Sequence, residues 1–259
     1  MLIVSDIHGE FEALAGLAAS GETLLVLGDL INLLDYRTGE GIISDVMGDA
    51  FGRQVSVRRG DSDYSGMRRL WSELSEERIR EVRSAMREAA HAQYEECRSA
   101  LDQGTGYVTY GNVDRPEMLQ AALPEGMRFV DGDRVEIDGL VFGFVGGGIS
   151  TPVHAEGEVT DREMTDKLES LGPVDVLCTH LSPRVGPLHR DVITGRLERS
   201  SVPILDYLHR YQPRLHFFGD VHQPQATRWR VGPTLCQNVG YFRATRRPFR
   251  FDPAADFPG

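Results

Sequence analysis

Short, unbroken apolar runs, each closed by polar residues, recur along the chain: "LIVSD" at 2–6, "TLLVLGD" at 23–29, "GYVTYGN" at 106–112, "VDVLCTH" at 174–180 and "RLHFFGD" at 214–220. Runs of this length without alternation predict strands buried on both faces. Helical patterns lie between them. Phe11, Leu14 and Leu17 share one helical face in "EFEALAGLAAS". Ile79, Val82, Met86, Ala90, Tyr94, Cys97 and Leu101 recur at three- and four-residue steps and predict a long helix. Ser75 is its expected N-cap, with Glu76 and Glu77 in the first turn. Further helices are predicted over 161–171 and around "PILDYLHRY". The two Asp-Gly pairs in "RFVDGDRVEIDGLVFGFVGG" predict an antiparallel meander. Residues 36–70, rich in Gly, Asp, Arg and Ser, read as an irregular excursion. With the long helix they form an insertion at about 36–102. Strands alternating with helices predict an α/β fold with covered sheet faces, and no linker or repeat divides residues 1–259, so one domain is expected.

Composition narrows the picture. A chain of 259 residues with 41% hydrophobic and 26% charged residues suits a globular domain with a sizeable core. The apolar runs are strand-length, so no membrane span is expected. Met1 leads directly into a strand rather than a charged leader, and Cys97, Cys178 and Cys236 are too few and scattered for a disulfide framework. Both readings point to a cytoplasmic protein with core thiols. The net charge of −11 disfavours duplex nucleic acid as a partner. Lys167 is the only lysine; arginines cluster in "RQVSVRRG", "MRRL" and "FRATRRPFR". They read as a solvated face or as guanidinium forks for phosphate. Nothing in the sequence sets the oligomeric state.

The polar residues that close the strands are metal-ligand types: Asp6 and His8, Asp29, Asn112, His180, and Asp220 and His222. In open α/β sheets a ligand site lies beyond the carboxyl ends of the strands, which would gather these groups at one rim. Carboxylates mixed with neutral imidazoles suit Mn, Fe, Co, Ni or Zn. There are too many for one tetrahedral ion, and two ions about 3.5–4 Å apart sharing a carboxylate is the usual two-metal arrangement.

The ordered series "SDIHGE", "GDLIN", "GNVD", "CTHLSP" and "GDVH" resembles the calcineurin-like metallophosphoesterases, in the small bacterial phosphoesterase branch. The resemblance implies a four-layer αββα sandwich of two mixed sheets flanked by helices. It also implies a dinuclear metal centre that hydrolyses phosphate esters, with Asp6, His8, Asp29, Asn112 and His180 in the catalytic set. By the family's pattern Asp6, His8 and His222 hold one ion, Asp29 bridges, and Asn112, His180 and Asp220 hold the other. The expected cofactors are two divalent ions among Mn, Fe, Ni, Zn or Mg, with Mn favoured. The expected substrate is a small phosphodiester, such as a cyclic nucleotide, or a phosphomonoester. A single-strand nuclease and a non-catalytic scaffold on the same fold are the alternatives.

The chain departs from the family's pattern twice. Asp220 stands where an imidazole is usual, which favours harder ions. Val113 stands where a histidine usually assists the leaving oxygen. His154 and His189, in polar loops, are the substitute acids to consider. The glycines of "FVGGGIS" offer backbone amides to a phosphate or make a tight turn. The 36–70 segment is either a plain solvated loop or a cap whose Arg53, Arg58 and Arg59 reach the substrate.

Overall fold

The computed structural model describes residues 1–61, 63–151 and 155–256. Its first sheet joins β1 (Leu2–Val4), β2 (Leu24–Leu27), β3 (Gly106–Thr109) and β4 (Met127–Phe129) in parallel, with β13 (Phe249–Arg250) antiparallel on the β1 edge. The second sheet runs β11 (Arg228–Val231), β12 (Thr234–Asn238), β10 (Leu215–Phe218), β9 (Val176–Thr179), β6 (Leu140–Val145), β5 (Asp133–Ile137). Its four central strands are parallel and both edge strands antiparallel. A short pair, β7 (Gly148–Ile149) and β8 (Glu158–Val159), stands apart.

Strand alternation builds the layers. Ile3, Leu25 and Leu27 face Phe142, Phe144, Val176, Cys178 and Phe217 between the two sheets. Leu2, Val4, Leu24 and Val26 point the other way, onto a helical layer. That layer comprises α1 (Phe11–Ala18), α5 (Glu76–Leu101) and α6 (Pro116–Ala122). Val145, Leu177 and Phe218 point outward from the second sheet onto α7 (Asp161–Leu171) and α9 (Val202–Tyr211). The result is helix, sheet, sheet, helix: a four-layer α/β sandwich, as the sequence reading expects. Each fully buried Leu or Phe in these interfaces contributes about 1.5–3 kcal/mol. Cys97, Cys178 and Cys236 are buried free thiols.

Two elements differ from expectation. Residues 36–70 are largely helical: α2 (Ile42–Met47), α3 (Asp49–Gly60) and α4 (Tyr64–Ser72). Ile43, Val55, Met67 and Leu70 form a small core of their own with Leu34, backed by Met86 of α5. Few apolar positions suffice for so small a core, so the pattern looks like loop. The α4 start is set locally, where the Asp63 carboxylate accepts the Gly66 N–H at 2.8 Å. The meander is also half right. Asp138-Gly139, both at positive φ, makes the β5–β6 hairpin. Asp131-Gly132 instead carries the chain from the first sheet to the second. Asp131 is held there by Lys167, at 2.8 Å, and by the Gly146 N–H.

Three short helices complete the helices of the described residues: α8 (Gly186–His189), α10 (Phe242–Thr245) and α11 (Pro253–Asp256). No helix of the described residues is long and apolar enough to cross a membrane.

Candidate metal centre

The carboxyl ends of β1, β2 and β3 in one sheet, and of β9 and β10 in the other, open on the same rim. Past β1 the ladder continues: Asp6 N–H donates to Gly28 O at 3.0 Å, and His8 N–H to Asp29 O at 2.9 Å. Those two bonds fix the first two ligand loops to each other. Gly28, at φ +100°, and Gly111 let the β2 and β3 loops touch. A Cβ on Gly28 would meet Gly111 N at 2.4 Å, and one on Gly111 would meet Asp29 Oδ1 at 2.1 Å. Both glycines immediately precede a candidate ligand.

All seven candidates of the sequence come together. Asp29 Oδ2 lies 3.6 Å from His8 Nε2 and 3.5 Å from His180 Nε2. Asn112 Oδ1 is 3.3 Å, and Asp220 Oδ1 3.8 Å, from His180 Nε2. His222 Nε2 is 3.2 Å from Asp6 Oδ1. The Asp220 N–H donates to Asp6 Oδ2 at 3.0 Å, tying the first motif to the last. Two sets of ligand atoms, each within 4.8 Å, result: Asp6, His8 and His222, and Asp6, Asp29 and His180. Two carboxylates, Asp6 and Asp29, therefore stand between the two groups.

The donor set fits divalent cations. His180 Nδ1 lies 2.9 Å from the Leu27 carbonyl, a bond from the second sheet to the first. A carbonyl only accepts, so Nδ1 carries hydrogen and Nε2 turns to the centre. His8 Nδ1 similarly faces Ile31 O at 3.3 Å, leaving its buried Nε2 with no hydrogen-bond partner among the described residues. His222 stacks flat on Tyr241, ring centroids 3.8 Å apart, and likewise turns Nε2 to Asp6. Three imidazole Nε2 atoms and four side-chain oxygen ligands converge on one buried rim, the mixture that Mn, Fe or Zn accepts.

The electrostatics agree. Burial raises Asp220, and the Asp6 and Asp29 charges add to it, so its carboxyl is pushed up to about 7 despite His180. Burial also opposes ionisation of Asp29, yet His180, His8 and the Val113 N–H outweigh it and hold the carboxyl below its usual range. Burial lowers His180 but Asp29, Asp6 and Asp220 lift it well above the ordinary histidine value. Protons and cations compete for such ligands, so acid weakens metal binding.

Asp114, which drew little notice in the sequence, is the buried brace of the site. Its carboxylate accepts the N–H groups of Asp29 at 2.8 Å, Leu30 at 3.0 Å and Gly111 at 2.9 Å. The Tyr94 hydroxyl of α5 bonds to it at 3.3 Å. Burial and the Asp29 charge push its pKa up to about 6. Its one legible sign was an acid shortly after Asn112. Tyr241, the platform under His222, had no sequence signal.

The remaining expectations divide. Val113 packs against the helical-side core and gives its N–H to Asp29 Oδ1 at 3.0 Å. His154 lies outside the described residues. His189 is buried, and its Nδ1 is bonded at 2.8 Å to the Glu198 carbonyl. The "FVGGGIS" amides are taken: Gly146 by Asp131, Gly147 by Tyr110 O and Gly148 by Gly157 O, so the glycines make a turn rather than a phosphate cradle. Three of the four C-terminal arginines are paired with acids, Arg243 with Asp35 and Glu40, Arg246 with Glu10 and Arg250 with Glu22.

No protein-family model matches the chain, and no curated protein does. Solved structures do. One aligns with a TM-score of 0.60 at 15% identity, covering 93% of this chain and 90% of its own. Another, TT1561 of Thermus thermophilus, aligns with a TM-score of 0.52 at 13% identity, covering 96% of each chain. At these identities the likeness shows a shared sandwich fold.

Proposed function

We propose that the chain is a phosphoester hydrolase working with two divalent cations, Mn favoured, on small phosphodiesters or phosphomonoesters. The observation that carries this reading is the Asp29 carboxylate between His8 and His180, with Asp6 shared by both ligand groups. The motif resemblance to calcineurin-like metallophosphoesterases supports it. A bound cation pair supplies positive charge that polarises phosphoryl oxygens and acidifies water. Asp6, His8 and His222 would hold one ion and Asn112, His180 and Asp220 the other, with Asp29 and Asp6 available to both.

The chain's own groups do the rest. The Leu27 and Ile31 carbonyls fix the tautomers of His180 and His8, and Tyr241 fixes the plane of His222. Asp114 holds the Asp29 and Gly111 loops at one spacing. Val113 offers no proton, so the leaving oxygen departs without the acid common in the resembling family. General acid catalysis contributes about 10²–10⁴-fold, mostly for basic leaving groups.

The test is elemental analysis of manganese-treated protein, joined to a leaving-group series of phosphate esters. About two ions per chain are expected, with nitrophenyl esters cleaved far faster than alkyl esters. Asp29→Asn keeps a residue tolerant of the local φ of 56° but removes the charge. It should lose bound metal and hydrolysis together. Metal uptake with no ester cleaved would leave a scaffold.

A further inference from the structure

The insertion does more than pack on α5. Arg59 sits in the last turn of its α3, and Asp61 just beyond meets Arg196 of a loop whose Val192 N–H bonds to Gln223 O, the residue after His222. The Arg59 Nη1 donates to the Tyr64 hydroxyl at 2.9 Å. At the start of the insertion Tyr36 follows Asp35, which pairs with Arg243, and the Arg243 guanidinium donates to the His8 carbonyl. Against the effect of burial, Asp220 and Glu198 favour the positive charge held on Arg59 and raise its pKa. Among the described residues Arg59 makes no carboxylate pair within 4.0 Å, unlike Arg243, Arg246 and Arg250.

Its position is braced from the other side of the rim. The Arg199 guanidinium lies 4.7 Å from the Tyr64 ring centroid, and its Nη1 donates to Ser150 O at 3.0 Å. Arg196 meets Asp61 at 3.6 Å, two residues beyond Arg59. These contacts tie the insertion to the segment between α8 and α9, so Arg59 is framed by both halves of the molecule. The Arg58 guanidinium, by contrast, bonds back along α3, to Gln54.

A guanidinium bound to a neutral phenol keeps N–H groups free for an anion, and its planar fork matches phosphate oxygens. With a valine at 113, no imidazole at that position competes for the outer side of a bound ester. We propose that Arg59 is a substrate-binding residue that grips an outer oxygen of the phosphate ester, and that Tyr64 positions it. The inference rests on the phosphate-ester reading above and goes beyond it by assigning the insertion a phosphate-binding role.

The experiment uses the manganese-loaded full chain and titrates inorganic phosphate by calorimetry, with nitrophenyl phosphate kinetics alongside. Arg59→Met should weaken phosphate binding roughly 10- to 100-fold, the loss of one charged hydrogen-bonding partner. Arg59→Lys should recover part of it, and serves if the Met variant fails to fold. Arg58→Met should match the unmodified protein. Tyr64→Phe should weaken phosphate binding severalfold alone but add nothing in the Arg59→Met background, which a purely structural Tyr64 would not show. If Arg59→Met binds phosphate normally and manganese more tightly, Arg59 is a counter-charge for Asp220 and the inference is overturned while the hydrolase reading stands. If the unmodified loaded protein binds no phosphate and cleaves no ester, both fall.

Discussion

Asp6, His8, Asp29 and Asp220 all have φ between 43° and 65°, a region that residues other than glycine seldom occupy. The cost is accepted at strand ends that must curl to send a side chain across the rim, and strain of this kind concentrates at functional sites. The curls are held by their backbone N–H groups, such as His8 N–H donating to Asp29 O and Asp29 N–H to the Asp114 carboxylate. His216 shows the other use of a buried imidazole. Thr179 Oγ1 gives its hydrogen to Leu181 O, so His216 Nε2 must donate to Thr179 at 2.8 Å. Its Nδ1 then carries no hydrogen and is buried without a hydrogen-bond partner among the described residues. Burial lowers its pKa to about 3. Above pH 6.5 folded and unfolded chains both hold it neutral. As pH falls from 6.5 toward 3, the unfolded chain takes a proton that the folded chain refuses. Stability should therefore drop by about 1.4 kcal/mol per pH unit across that window. Urea melts of the metal-free protein against pH would show this slope, and His216→Gln should flatten it; an unchanged slope in the variant would place the acid sensitivity elsewhere.

At the scale of elements, the site depends on how closely neighbouring strand ends approach. The β2 and β3 loops meet through Gly28 and Gly111, with no room for a methyl group facing Asp29. Gly111→Ala should push Asp29 away from the position between His8 and His180. Manganese content should fall several-fold while far-UV circular dichroism keeps its shape, because the clash lies beyond the strands. Full metal content in that variant would mean the loops can separate without loss. The long helix α5 was legible from its apolar steps, and its Ser75 cap accepts the Arg78 N–H at 3.2 Å as expected. The helices before it were not. Their inward side chains, such as Val55 and Met67, are sparse, and neighbours such as Val57 are 63% exposed. Only packing on one another and on Met86 makes a core of them.

For the whole molecule, folding brings the carboxylates of Asp6, Asp29 and Asp220 together in a chain that already carries a net charge of −11. A cation that binds only the folded rim stabilises it by mass action, about 2.7 kcal/mol at a hundredfold excess over Kd. For a chain of this size that is a rise of about 5–10 °C in Tm. Calorimetry with manganese and then with a chelator should show the rise and its reversal. No shift at saturating manganese would remove the metal centre from the account.

The strands, the principal helices and the chemical types at the strand ends could be read from the chain because they rest on short-range rules: side-chain alternation, helical spacing, caps and turn residues. The ordered motifs even placed the seven ligand candidates. Which nitrogen of each histidine faces the centre could not be read, since Leu27 O and Ile31 O, which decide it, are remote in sequence. Nor could the brace at Asp114, the platform at Tyr241, the sheet-to-sheet passage at Asp131 or the bond from Arg59 to Tyr64. Each depends on contacts between segments far apart in the chain, such as Asp29 with Asp114 and His222 with Asp6, and those distances exist only once three apolar interfaces have closed the four layers on one another.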